Sequence, residues 1–505
     1  MIFMLLLFMI LFPAAAGIAV SLIPADKISR EYRICSYTAI LAVTDIIALS
    51  SLFRDDKLRL FQLAGNLDLY FYLDGVGKFF ICPVLLLYTL ICFYAFAYMP
   101  MEGREESFFA FYFLSFGAVL AACAAGNLIT LYLCFEFATL TSMPMVLHER
   151  TPDAILAALK YLFYSLGGAL LGLLSIVALC YYGQEQANAF IPGGFLGSEN
   201  IRERGILLKI IFAGIVGFGA KAGLYPMHGW LPAAHPIAPA PASALLSGII
   251  AKLGVLAVLR LVFFSAGVDF LRGTWVQTAW ICLSMLTIFM GSMMAWREKV
   301  LKKRLAYSSV SQIAYIMLGL SLLNEGGFTG GLIQLAAHAV SKSALFLCAG
   351  VFIFTLGKRQ IQHLRGLGPV LPVTFWCFFI ASLSLIGIPP MGGFVSKWHL
   401  ALAALNNQDI YHAAFTILPP VILMISALLT AAYLLPVMID AFFVPGQKNN
   451  NNNNNININN HSGETRKPSA LMTAPMMILC AAALGVGLFG SGLAEIIRTA
   501  ARGLF

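Results

Sequence analysis

The sequence predicts an all-α polytopic membrane protein with about fourteen transmembrane helices. Of its 505 residues, 60% are hydrophobic and only 11% are charged, whereas roughly a quarter of the residues of a soluble domain are charged. Apolar runs of about 20 residues, enough to cross a bilayer, recur along almost the whole chain. These runs are continuous rather than alternating, so helices rather than barrel strands satisfy the backbone in lipid.

The predicted spans follow one another with short polar connections. They cover residues 2–22, 34–53, 78–99, 107–125, 127–147, 154–182, 206–226, 240–264, 275–295, 304–323, 328–356, 371–404, 412–443 and 470–489. The span 371–404 is interrupted by prolines and glycines. The first run lacks a basic leading segment and is followed by further spans, so it is interpreted as a helix rather than a signal peptide.

Positive charges concentrate in the loops on one side of the predicted membrane. These loops contain Lys27, Arg30, Arg33, Arg297, Lys299, Lys302, Lys303, Arg304, Lys358, Arg359, Arg365, Lys448, Arg466 and Lys467. The positive-inside rule therefore places both termini on the extracytoplasmic side of the cell (inner) membrane. The net charge of +9 is mostly a topology signal, and it requires no nucleic-acid partner. The expected surroundings are the lipid bilayer.

Cofactor motifs are absent from the sequence. The ten cysteines are scattered singly without a Cys-x-x-Cys pair, so they predict neither zinc nor an iron–sulfur cluster. Neither a Rossmann glycine fingerprint nor a P-loop occurs. We therefore expect no redox, hydrolytic or metal site in this chain.

Several ionisable residues interrupt the apolar spans. An ionisable side chain at mid-bilayer costs about 2.5–3.5 kcal/mol on insertion scales and marks ion or proton pathways. The candidates are Glu136, Lys160, Lys221, His228, His235, Lys252, His338, Lys342 and Lys397. His338 and Lys342 are four residues apart and share one helix face. Their chemistry favours a proton relay, because histidines accompanied by lysines are a poor metal site.

Two of these lysines lie beside helix interruptions. Lys221 precedes Gly223 and Pro226, and Lys397 follows the Pro-Pro and Gly-Gly pairs at 389–393. A pair of broken helices in corresponding halves predicts an internal repeat with an ion path at its interface. A buried lysine releases its proton more easily, and a nearby carboxylate restores the charged form. Separation of Glu136 from Lys221 would therefore act as a switch.

Other interpretations remain open for single residues. Lys160 is expected to extend its ammonium toward the membrane surface. For His228 and His235, interfacial placement and proton transfer are both retained. A secondary carrier for an organic solute and a structural scaffold are the rival functions, although neither explains the deep charges.

Four stretches carry a resemblance to a known family. They are AKAGLYPMHGWLPAAHPIAPAPASALLSGIIAKLG at 220–254, KKRLAYSSVSQ at 302–312, HAVSKSALFLCAG at 338–350 and GIPPMGGFVSK at 387–397. The chain resembles, from about 74 to 443, the antiporter-like subunits of respiratory complex I, membrane-bound hydrogenases and Mrp-type Na+/H+ antiporters. Within that family it is most similar to the Mrp D-like and complex I N- and M-like branch.

The resemblance implies a domain plan and a role for each matching residue. The plan has helices 1–3 (1–100), inverted five-helix repeats at 105–265 and 274–443 with broken helices 7 and 12, and helix 14 with a tail (469–505). From the residues themselves, partial alternation and a Gly-Asn pair at 57–73 predict an extracytoplasmic hairpin. The Asn-rich, low-complexity composition predicts a disordered cytoplasmic loop at 444–468. The implied relay is Glu136, Lys221, Lys252, His338, Lys342 and Lys397. Lys160, His228 and His235 are secondary candidates from their positions in the sequence alone.

The resemblance also implies partners and cofactors. The partners are other membrane subunits, and the transported ion is H+, with Na+ in the Mrp-type alternative. Flavin, iron–sulfur or nickel–iron groups are expected only on partner subunits of a redox-linked complex.

Three features depart from parts of the family pattern. Gln312 stands where many relatives have histidine, so no relay role is expected there. Lys397 replaces the glutamate of one complex I branch and has no carboxylate partner in its own repeat. The sequence after the last span contains no long lateral helix, which argues against the largest complex I subunit type.

Overall fold

A computed structural model describes residues 4–24, 27–64, 67–196, 203–407, 414–445 and 467–505. Its helices in chain order are α1 Met4–Leu22, α2 Arg30–Ser51, α3 Gly75–Glu102, α4 Glu105–Cys123, α5 Leu128–Val146, α6 Pro152–Gly183, α7 Arg204–Ala222, α8 Trp230–Ile237, α9 Ala240–Leu245, α10 Lys252–Leu261, α11 Val268–Leu271, α12 Trp275–Arg297, α13 Leu301–Ser321, α14 Glu325–Leu356, α15 Pro372–Ile386, α16 Gly392–Leu405, α17 Ala414–Phe443, α18 Ala470–Leu488 and α19 Gly490–Ala500. The strands are β1 Lys57–Ala64 and β2 Leu67–Tyr72. Short 3₁₀ turns at Gln184–Asn188 and Ile361–Leu364 and π-helical turns at Leu246–Ile250 and Val262–Ala266 complete the elements.

The predicted all-α membrane fold is confirmed. Within the described ranges, 12 helical stretches are long and apolar enough to cross a membrane. The more polar α13 and the interrupted pair α15–α16 account for the two remaining predicted spans.

The two helix breaks, after α7 and after α15, have the same local structure: a glycine ends the first half of each broken helix. Gly223 after α7 and Gly387 after α15 have φ values of 85° and 90°, a conformation that glycine adopts without a Cβ penalty. At the first break the Leu224 N–H donates to Gly219 O at 2.8 Å, and at the second the Ile388 N–H donates to Leu383 O at 3.1 Å. These bonds pair N–H and C=O groups at the breaks, which lipid tails could not hydrogen-bond.

The centre of the protein is formed by two helical stretches. Every residue of Ala240–Ala266, which contains α9, α10 and both π-helical turns, is buried. α14 packs against α9, α13, α15, α16 and α18. The internal position of α14 removes His338 and Lys342 from lipid.

The segment predicted as a hairpin forms the antiparallel pair β1–β2, with Lys57 opposite Tyr72. It is tied to the loop before α5, because the Tyr72 N–H donates to Ala124 O at 2.8 Å and the Gly126 N–H donates to Tyr70 O at 2.9 Å. Of the predicted Asn-rich loop at 444–468, residues 446–466 lie outside the described residues.

One loop boundary was predicted wrongly. Lys302, Lys303 and Arg304 were placed in a loop, whereas α13 begins at Leu301. Lys302 is 5% exposed and donates to Ala238 O at 2.8 Å. Lys302 is buried because its ammonium binds the Ala238 carbonyl between α8 and α9. A count of charges in the local sequence does not show such a long-range contact.

Candidate functional site

Lys221, at the end of α7, is completely buried. Its Nζ donates to Phe135 O on α5 at 3.0 Å and to Thr139 Oγ1 at 2.5 Å. The same nitrogen lies 4.0 Å from the centroid of the Phe135 ring, a cation–π contact. The groups that bind the ammonium, a carbonyl, a hydroxyl and an aromatic ring of α5, are uncharged, so they do not compensate its positive charge.

Glu136 lies on the same part of α5 as these contacts. Both of its carboxylate oxygens are buried, and neither has a hydrogen-bond partner among the described residues. The charges of Glu136 and Lys221 act on each other through space. The two residues that the sequence predicted as a switch are thus neighbours, but the ammonium donates to Phe135 and Thr139 instead of to the carboxylate.

Lys252 and Lys342 are linked across α13 by contacts that use both the backbone carbonyl and the side-chain hydroxyl of Ser247. The Lys252 ammonium donates to Ser247 O in the π-helical turn. Ser247 Oγ lies 2.8 Å from Ser309 Oγ, which donates to Leu305 O at 3.0 Å. Lys342 Nζ donates to the same Leu305 carbonyl at 2.9 Å. These contacts connect α10 in the first half with α14 in the second.

The π-helical turn explains why Ser247 can face Lys252. Its N–H groups reach back one residue further than in an α-helix, as shown by the 3.0 Å bond from Ala251 N to Leu246 O. Such turns are frequent at functional sites.

His338 and His235 are both completely buried. Among the described residues, none of their ring nitrogens has a hydrogen-bond partner. Lys252 and Lys342 act electrostatically on both rings. The His235 ring stacks on Phe346 with centroids 4.6 Å apart, so it is enclosed by protein rather than exposed at the surface. An imidazole without a fixed partner has free positions for water or a proton.

Lys397, on α16, turns back to the end of α15. Its Nζ donates to Leu385 O and to Ile386 O, both at 2.6 Å. The Tyr315 ring centroid lies 5.2 Å from the same nitrogen. The acceptors that the sequence could not identify are therefore backbone carbonyls freed by the helix break.

The remaining secondary candidates lie apart from this buried set. Lys160 is exposed on α6. His228 is half-buried after the first break and stacks on Tyr225 with centroids 5.7 Å apart. The structure therefore brings Glu136, Lys221, Lys252, His338, Lys342 and Lys397 into the protein interior and adds His235 to them, but leaves Lys160 outside.

An ion pair between a buried arginine and a partly buried aspartate escaped the sequence reasoning. Arg260 is 1% exposed and donates through Nη1 and Nη2 to the Asp74 carboxylate at 2.6 and 2.5 Å. Phe190 and Phe264 cover the guanidinium, with ring centroids 4.6 and 4.5 Å away. Burial acts to raise the pKa of Asp74, but the charge and hydrogen bonds of Arg260 outweigh it and lower that pKa.

Gln312 and Gln334 were also missed. Gln312 was set aside because it replaces a histidine, yet its side chain is buried and accepts a 2.8 Å hydrogen bond from Gln334 Nε2. The only sequence signal was the presence of two amides inside apolar helices.

No group of three or more histidine, cysteine, aspartate or glutamate side chains suited to a metal ion occurs in the described part of the chain. The site consists of amines, imidazoles, hydroxyls, amides and carbonyls, together with one carboxylate. Such groups bind and release protons or hold water.

Residues 125–422 match the family described as NADH:quinone oxidoreductase/Mrp antiporter, TM. The chain belongs to this family. It is 31% identical over 381 residues to NADH-quinone oxidoreductase subunit N of Desulforudis audaxviator, covering 70% of each chain. It is 29% identical over 356 residues to a subunit of the Na(+)/H(+) antiporter of Alkalihalophilus pseudofirmus, covering 69% of this chain and 71% of that one.

The fold of the family is shared as well. A chain of the Mrp complex from Dietzia sp. DQ12-45-1b superposes with a TM-score of 0.82, covering 98% of this chain and 97% of that chain at 22% identity. The resemblance inferred from the sequence motifs is thus confirmed. The chain is a multi-pass membrane protein of this antiporter-like family.

Proposed function

We propose that this subunit translocates protons along the buried axis from Lys221 through Lys252, His338 and Lys342 to Lys397. One observation carries the proposal: the ammonium groups of Lys252 and Lys342 are buried on either side of the hydroxyl pair Ser247–Ser309, Lys252 on the Ser247 carbonyl and Lys342 on the Leu305 carbonyl that Ser309 also binds. Ionisable groups are expensive at membrane depth and are retained there mainly for ion or proton movement.

The axis begins at a pair of charges without a direct bond. While the Glu136 carboxylate is close, it stabilises the ammonium form of Lys221. Movement of α5 relative to α7 weakens this attraction, and the low dielectric of the site then favours release of the Lys221 proton. The proton passes to Lys252 and onward through hydroxyls and water. Lys397, bound to the carbonyls at the second break, is the terminal acceptor.

The energy source lies on partner subunits. In the first assignment, redox chemistry on partners that carry flavin, iron–sulfur or nickel–iron groups drives the charge separation. In the second, the subunit belongs to a Mrp-type antiporter and protons exchange for Na+ without electron transfer. The likeness to the Na(+)/H(+) antiporter of Alkalihalophilus pseudofirmus and to a chain of the Mrp complex supports keeping the second assignment.

The basic loops support the proposed orientation, with both termini extracytoplasmic. Residues proposed for the cytoplasmic face include Lys299 and Lys358, and the carboxyl terminus is proposed to lie opposite. Labelling of single cysteines with an impermeant reagent, at position 299 and at a tail position such as 503, tests this orientation. Labelling of both positions from the same side contradicts it.

Proton transport by membrane vesicles that contain the whole complex tests the function. Lys221→Ala and Glu136→Gln are expected to abolish transport while assembly is kept. Lys209→Ala is the matched control, because Lys209 is an exposed lysine on the same helix. Normal pumping by Lys221→Ala vesicles overturns the proposed path.

A second measurement separates the two assignments. Transport that requires an electron donor, in a complex with flavin or iron–sulfur absorbance, supports the redox assignment. Sodium-dependent proton exchange without a donor supports the antiporter assignment.

A further inference from the structure

A continuous set of hydrogen bonds joins three buried side chains between α13, α14 and α16. Gln334 Nε2 donates to Gln312 Oε1 at 2.8 Å. Ser396 Oγ donates to Gln334 Oε1 at 2.5 Å. Gln312 and Ser396 are 0% exposed, and Gln334 is 1% exposed. We call Gln312, Gln334 and Ser396 the amide bridge.

The amide bridge connects the face of α14 that carries His338 with the backbone carbonyl that binds Lys397. Gln334 precedes His338 by one helical turn of α14 and shares its face. At the other end, Gln312 Nε2 donates to Leu385 O at 3.4 Å. That carbonyl also accepts the 2.6 Å bond from Lys397 Nζ. The route from His338 to Lys397 therefore runs beside two carboxamides.

The chemistry of the bridge differs from that of the groups on either side. A carboxamide has a fixed donor end and a fixed acceptor end and does not take up a proton near neutral pH. The donations all run the same way along the bridge: Ser396 donates to Gln334, Gln334 donates to Gln312, and Gln312 donates to the Leu385 carbonyl. The bridge can orient a carbonyl or a water molecule, but it cannot store the transported proton.

The bridge also holds both halves of the broken helix. Gln312 binds the end of α15 through Leu385, and Gln334 binds α16 through Ser396. A further bond between Ser341 Oγ of α14 and Ser384 Oγ, at 2.9 Å, fixes the same end of α15. The position of the Leu385 carbonyl, and hence of the ammonium bound to it, depends on these contacts.

We propose that Gln312 and Gln334 are positioning residues that hold the end of α15 so that its carbonyls bind the ammonium of Lys397. They control how readily Lys397 gives up its proton, although neither carries the proton. This inference rests on the proposed proton path. It assigns a role to a residue that replaces the histidine of many relatives.

Substitution by methionine tests the proposal, because methionine keeps the length of glutamine but lacks the amide. Gln312→Met and Gln334→Met are made in the full complex, and proton transport is measured against pH. Without the bridge the ammonium is held less firmly. We expect the midpoint of the pH profile to move toward acid by about one unit, a tenfold change in proton affinity.

Gln277→Met is the matched control. Gln277 is 3% exposed, accepts from the Gly273 N–H at 2.9 Å and donates to Leu322 O at 3.2 Å, all outside the axis. Its loss removes a buried amide of the same kind, so it measures the effect on packing alone. The midpoint is expected to stay at the wild-type pH in this variant.

Ser396→Ala keeps the proposal testable if the glutamine variants do not assemble. It removes the outer bond of the bridge, together with the 3.0 Å bond from Ser396 Oγ to Gly393 O within α16, and leaves both amides in place, so a smaller acid shift is expected. An unchanged midpoint in assembled Gln312→Met and Gln334→Met complexes overturns the inference, as does an equal shift in Gln277→Met. If Lys221→Ala still abolishes transport in that case, the proton path stands and only the role of the bridge is wrong.

Discussion

Arg260 of α10 and Asp74, the residue before α3, form a bidentate ion pair although 186 positions separate them in the chain. Asp74 also caps α3, because its carboxylate accepts from the Gly77 N–H at 2.9 Å. The pair therefore fixes the start of α3 against α10. Removal of the aspartate leaves the Arg260 charge buried without a counter-charge, which strongly destabilises a folded protein.

Asp74→Asn is expected to destabilise the complex by about 3–5 kcal/mol, because Arg260 loses its counter-charge in a buried site. Thermal unfolding of the purified complex measures the effect. Asp269→Asn removes an exposed pair with Arg272, in which the aspartate side chain is 84% exposed. It is expected to change stability by less than about 1 kcal/mol. Equal losses in the two variants would contradict the structural role of Asp74.

The same ion pair predicts a dependence of stability on pH. The pKa of Asp74 is lower in the folded protein than in the unfolded chain, so its contribution is fully present above the usual carboxyl value of about 3.9. The contribution is lost as the pH falls through the lower, folded pKa. The difference in unfolding temperature between wild type and Asp74→Asn should therefore shrink below about pH 4. A difference that stays constant at lower pH argues against the pair.

Thr139→Val tests the contact that holds Lys221. Valine keeps the shape of threonine but removes the hydroxyl that receives the ammonium. A hydrogen bond to a charged group contributes about 1.5–3 kcal/mol, so proton transport is expected to fall about tenfold or more. Thr141→Val is the control on the same helix, because the buried Thr141 hydroxyl donates to the Phe137 and Ala138 carbonyls of α5 itself. Transport that survives in Thr139→Val would mean that Phe135 alone holds Lys221.

Ser309→Ala interrupts the contacts between Lys252 and Lys342. A neutral hydrogen bond contributes about 0.5–1.5 kcal/mol, so transport is expected to fall by roughly three- to tenfold, with normal assembly. Ser321→Ala provides the comparison, because the buried Ser321 hydroxyl bonds to Leu318 O at 2.8 Å within the same helix. If both variants transport at the wild-type rate, protons bypass Ser309.

Gly223→Ala tests the first helix break. Gly223 has a φ of 85°, and a Cβ there would lie 2.4 Å from Leu231 Cδ1. The left-handed backbone costs an alanine about 1–2 kcal/mol, and the overlap adds about 1–3 kcal/mol. Gly357→Ala has a φ of 63° but open space around its Cβ, so it should show the backbone cost alone. A similar loss of stability in both variants would show that Leu231 moves aside without cost.

The sequence by itself determined the helices, the breaks and the charged candidates, because each depends on a few neighbouring residues. Apolar runs of about 20 residues span lipid wherever they occur. Gly223 and Gly387 end helices through local capping. The intramembrane lysines are conspicuous because any charge is costly in hydrocarbon.

Only the tertiary structure decided the partners of these charges. Lys221 contacts Phe135 and Thr139 rather than the Glu136 carboxylate, since helix rotation determines which face of α5 it meets. Lys302 is buried against Ala238, and Gln312 of α13 meets Gln334 of α14. A hydrogen bond requires atoms within about 3 Å, and such distances between residues far apart in the chain follow from packing rather than from local pattern.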